Sequence, residues 1–90
     1  MGRALFEQGR LDEAQEFFHR SLDIDERHGI RHGIAWNKSA LALLHEKQGN
    51  LEMALQLAKE AGELHHKLGM KSEMEETLDL VERLEGKLAA

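Results

Sequence analysis

The 90-residue chain contains no cysteine and no proline. Without thiols there is no disulfide framework, no thiolate metal site and no cysteine nucleophile, a composition that suits a reducing cytoplasm. Without proline, the breaks between helices fall to glycine. β-Branched residues are scarce: Ile24, Ile30, Ile34, Thr77 and Val81 are the full set, so strands are not expected. No apolar run approaches the ~18 residues of a membrane span, and the N-terminus lacks the layout of a signal peptide. The formal net charge of −5 argues against a protein that tracks a phosphate backbone with lysine and arginine.

What is present is rich in good helix formers, chiefly Leu, Ala, Glu, Gln and Lys. Gly9, Gly29, Gly49 and Gly69 form a ladder with a step of twenty. Each rung can supply the positive φ that ends a helix and reverses the chain. The reading is therefore helix and turn in alternation, about five helices in all, the first cut short at residues 1–8. The next helix starts near Leu11, with Asp12 and Glu13 favourably placed in its first turn, and carries Leu11, Ala14, Phe18 and Ser21 on one stripe. A third runs from about Arg31 to Lys47 with Ile34, Leu41 and Leu44 inward. A fourth presents Leu51, Ala54, Ala58 and Ala61, with Asn50 as its expected N-cap. Ser72-Glu73-Met74-Glu75 has the form of a capping box for the last helix, whose apolar stripe is read as Met74, Leu78, Val81, Leu84 and Leu88.

The ladder carries a longer repeat. Gln8-Gly9-Arg10-Leu11-Asp12-Glu13-Ala14 returns forty residues later as Gln48-Gly49-Asn50-Leu51-Glu52-Met53-Ala54. With Ala14 followed by Phe18, and Leu5 and Gly2 at the matching places upstream, this resembles the tetratricopeptide repeat. The second copy keeps Leu41 but has Ala42 for the family's glycine and His45 for its tyrosine. The spacing of forty exceeds the family's usual ~34 and the family's proline is absent, which points to a longer-helix variant. The resemblance implies an all-α, right-handed stack of antiparallel helix pairs, an α-solenoid. Residues 1–29 would be a truncated first repeat, 30–69 a full repeat and 70–90 a C-terminal capping helix.

In such arrays the first helix of each repeat lines a concave groove that holds a peptide or partner helix. Projected onto this chain, the groove face comprises Trp36, Ser39, Leu43 and Lys47, with Glu76, Asp79 and Arg83 one repeat later. Trp36 is either an anchor for a partner or a packing residue, and the sequence leaves both open. The lysine and asparagine set with which some family members capture a C-terminal carboxylate is missing, and Glu76 and Asp79 would repel such a ligand. A second candidate surface is the open edge beside the short first helix, Phe6 and Phe17 included, which a second copy of the chain could cover as a homodimer.

Chemistry is not expected. His28 and His32 are separated by Gly29, and His65 and His66 point about 100° apart on a helix; zinc needs three or four convergent ligands. Glu75, Glu76 and Asp79 read as a solvated face rather than an acid–base pair. His19, Ser21 and Asp23 fall on different sides of one helix and form no triad. No metal, cofactor or catalytic residue is assigned. The sequence points to a non-enzymatic interaction module for a protein or peptide, without nucleic acid or membrane, or else to a dimerisation module or part of a larger regulator.

Overall fold

The computed structural model describes residues 10–90. They form four helices: α1 (Leu11–His28), α2 (Arg31–Lys47), α3 (Leu51–Lys67) and α4 (Lys71–Ala89). The short helix expected over residues 1–8 lies outside the described residues, as does Phe6. Each helix packs chiefly against its neighbour in sequence, giving successive antiparallel pairs.

Three turns of one design connect them. Gly29, Gly49 and Gly69 all take positive φ, at 65°, 83° and 71°. In each turn the glycine N–H donates to the carbonyl three residues back, and the following N–H reaches five residues back. Ile30 thus donates to Asp25 at 2.9 Å, Asn50 to His45 at 2.9 Å, and Met70 to His65 at 2.8 Å. This double bond pattern satisfies the last carbonyls of one helix while the chain reverses. The next helix begins at once, and this corrects two expected caps. Asn50 occupies the N-cap position of α3, but its side chain makes no cap hydrogen bond. Its amide instead approaches His45 Nδ1 at 3.4 Å. Helix α4 starts at Lys71 with Met70 at its N-cap, so Ser72 already lies inside the helix and builds no capping box.

The core is built on small residues. Ala14, Ala35, Ala42, Ala54, Ala58 and Ala61 are fully buried, which lets the helices approach closely. Ala14, Phe18, Leu41 and Leu44 form one cluster between α1 and α2. Ala42, Ala54, Ala58, Leu80 and Leu84 form the other, and Leu57 packs against both. Size alternates between equivalent positions forty residues apart. Phe18 shares its cluster with Ala40, whereas Ala58 shares its own with Leu80. A large–small pair is exchanged for a small–large one, and the space between helices stays filled.

Helix α4 differs from its expected register. Its buried residues are Thr77, Leu80 and Leu84, with Met74 and Val81 half-buried. Leu78 and Leu88, read as core, are 51% and 40% exposed. Only one side of α4 has a neighbour among the described residues, so one stripe suffices, and Thr77 turns inward because it has a polar partner there.

Candidate functional site

Two buried polar links join neighbouring helices at matching places. Asn37, 1% exposed, donates through Nδ2 to the Gly33 carbonyl at 2.9 Å and to Asp25 Oδ2 at 3.1 Å. Thr77 Oγ1 donates to the Glu73 carbonyl at 2.8 Å and meets His65 Nδ1 at 3.0 Å. The threonine hydroxyl has a single proton, and the Glu73 carbonyl takes it. His65 must therefore donate from Nδ1, which fixes the neutral tautomer and leaves Nε2 as an acceptor. The first link also explains Gly33: a β-carbon there would collide with the Asp25 carboxylate. Burial pushes the His65 imidazole below its ordinary pKa, with Glu73 and Glu76 partly opposing. Burial, and then the charge of His19, do the same to His45.

Above the second link lies a cleft of about 550 Å³ between α2 and α4. Its apolar lining comes from Phe18, Trp36, Ala40, Leu43 and Leu80. Trp36 is 50% exposed yet packs edge-on to Phe18, with ring centroids 5.5 Å apart and planes at 63°. Trp36 is thus a packing residue against Phe18 that stays half exposed. Ser39 and His65 contribute polar atoms to the cleft, and Glu73, Glu76 and Arg83 line it from α4. The Ser39 hydroxyl is buried and makes no hydrogen bond.

Of the groove residues projected from sequence, Trp36, Ser39, Leu43, Glu76 and Arg83 line this cleft, while Lys47 and Asp79 do not. Phe17 is half-buried, packed edge-on against Phe18 with centroids 5.7 Å apart. Arg83 is already engaged. Its Nε and Nη2 donate to Glu46 at 2.8 and 2.7 Å, and Lys87 Nζ joins them at 2.9 Å. The Arg83 hydrogen bond, with help from Lys87, pulls the Glu46 carboxyl down to about 2 against the cost of its burial. This cluster ties α2 to α4 along one side of the cleft.

Phe18, Ala40, His65, Glu73, Thr77 and Leu80 line the cleft but were not projected as groove residues. Phe18 is read only as core, and Leu80 falls outside the apolar stripe read for the last helix. Thr77 and His65 lie twelve apart on different helices, like Asn37 and Asp25, and that polar recurrence at a step of forty was the available cue. Among the described residues no three His, Asp or Glu side chains converge as metal ligands, and no helix is long and apolar enough to cross a membrane.

A family model described as tetratricopeptide repeat matches residues 1–67. No curated protein and no solved structure gives a significant match.

Proposed function

The chain belongs to the tetratricopeptide repeat family, whose repeats generally mediate protein–protein interaction, and from that premise we propose that it is a non-enzymatic module that binds a protein or peptide segment in the cleft between α2 and α4. One observation carries the reading: Trp36 is half exposed in a concave apolar lining while its other edge rests on the buried Phe18. A rigidly braced aromatic at the centre of a hollow is the usual form of a binding anchor. A displayed random peptide library, selected on the wild-type chain and then assayed for binding to the neutral variant Leu43→Gln, tests it. Peptides that bind the wild type, shift the emission of its single tryptophan and lose affinity for the variant are expected. Selected peptides that bind both proteins equally would contradict the cleft.

A second reading, self-association, is favoured by a different feature. The outward side of α4 leaves Leu78 and Leu88 open, as a helix awaiting a further neighbour would. Light scattering between 1 and 100 μM (about two decades, enough to reveal a micromolar dimer) distinguishes it: a constant monomer mass removes this reading and leaves the first intact.

A further inference from the structure

Among the described residues the unpaired charge lining the cleft is negative, and Ser39 adds a hydroxyl that can donate or accept. His65 is 3% exposed, and with Nδ1 committed to Thr77 at 3.0 Å its remaining ring nitrogen, Nε2, can only accept while the ring is neutral. Glu73 and Glu76 bring two carboxylates, neither of them in an ion pair with a lysine or arginine of the described residues. Among the described residues the one cation of the lining, Arg83, spends its guanidinium on Glu46 in a two-point contact. Glu46 also holds Lys87. The half-exposed Trp36 completes the lining, and indole rings attract cations. The cleft therefore offers an apolar hollow beside negative charge and unfilled acceptors.

We propose that the cleft selects a cationic amphipathic segment of a partner protein, seating an apolar side chain against Phe18, Trp36 and Leu80 and an adjacent lysine or arginine against Glu73, Glu76 and the indole of Trp36. The inference rests on the binding role given to this cleft above and adds the chemistry of the occupant. Three features of the complex follow. Acidic segments are rejected by like charge. Affinity falls with salt, because Glu73 and Glu76 lie at the exposed margin of the cleft. The ligand's ammonium or guanidinium donates to the Glu73 and Glu76 carboxylates, which no lysine or arginine of the described residues pairs.

The composition of the selected peptides reads this directly. Peptides that depend on Leu43 are expected to carry Lys or Arg beside an apolar residue well above the frequency in the starting library. Replacing those cations by glutamine in the tightest peptide should weaken binding roughly tenfold at low salt, the effect of two partly screened charge contacts. The same replacement should change affinity less than about threefold for the Glu73→Gln/Glu76→Gln protein, since the charge contacts are already gone. Both substituted positions are exposed, and an unchanged melting temperature certifies the fold of that protein. Leu43-dependent peptides that are neutral or acidic would overturn the charge selection and leave the cleft standing. Selection that yields no Leu43-dependent peptide would overturn both.

Discussion

Asn37 and Thr77, forty residues apart, make the same pair of bonds in successive helix pairs. Each donates to the carbonyl four residues earlier in its own helix, Gly33 or Glu73, and each meets a side chain twelve residues earlier on the preceding helix, Asp25 or His65. The geometric repeat is thus kept while the chemistry changes from an amide–carboxylate pair to a hydroxyl–imidazole pair. The second pair lies in the cleft lining, so the device that fixes α4 to α3 also fixes what the cleft presents to a ligand.

Thr77→Val tests that device. The substitution keeps the shape of the side chain and removes the hydroxyl, leaving the buried Nδ1–H of His65 without an acceptor. A loss of about 1–3 kcal/mol is expected in urea unfolding, with Thr77→Ser recovering most of it. A neutral Thr77→Val would mean that the bond does not hold the helices.

Acidification should weaken the fold in two steps. His45 and His65 lie below their ordinary value of 6.5, so they take up protons more readily in the unfolded chain. Their contribution is present above 6.5 and is lost as the pH falls below it. Glu46 is lowered from 4.5 to about 2, so its contribution is present above 4.5 and is lost as the pH falls from there toward 2. Because Arg83 and Lys87 are half exposed, that second loss is set at roughly 1–2 kcal/mol. Melting temperatures from pH 8 to 3 check both steps. A flat profile between pH 7.5 and 5 would remove the histidine contribution.

Glycine substitutions should differ in sign by position. Gly49→Ala forces a β-carbon onto a residue at φ 83° and should cost about 1–2 kcal/mol. Gly86→Ala, inside α4 with nothing within 4 Å of the added carbon, should stabilise by about 0.5 kcal/mol. Chemical denaturation of the two variants side by side gives the comparison; equal effects would contradict the turn assignment.

Ala54→Phe probes the close approach of the helices. Ala54 is fully buried with Ala42, Ala58 and Leu84, and a ring there has no space. A loss of about 1–3 kcal/mol or more is expected, seen as a lower denaturation midpoint. Unchanged stability would show slack in the core.

The helix boundaries and the alanine core were legible because the information is local: Gly29, Gly49 and Gly69 mark the turns, and Ala14, Ala54, Ala58 and Ala61 recur at helical spacing. Part of the cleft was legible too, since Trp36, Ser39 and Leu43 share a helix face that repeats at Glu76 and Arg83. The register of α4 was not. Hydrophobicity favours Leu78 and Leu88, but the helix turns so that Thr77 reaches His65, and a hydrogen bond between helices leaves no trace in apolar periodicity. The fate of Arg83 was hidden for the same reason. Only its contact with Glu46, thirty-seven residues away, reveals that the charge is spent within the fold.

The central claim is that the cleft between α2 and α4 is the surface that holds a partner. Amide and indole chemical-shift mapping by ¹⁵N NMR, with a library-selected peptide added stepwise, tests it most directly. The predicted result is a continuous patch of shifts at the Trp36 indole, Ser39, Leu43, Thr77 and Leu80. Shifts confined to the exposed side of α3 around Met53 and Gln56, with the Trp36 indole unmoved, would contradict it.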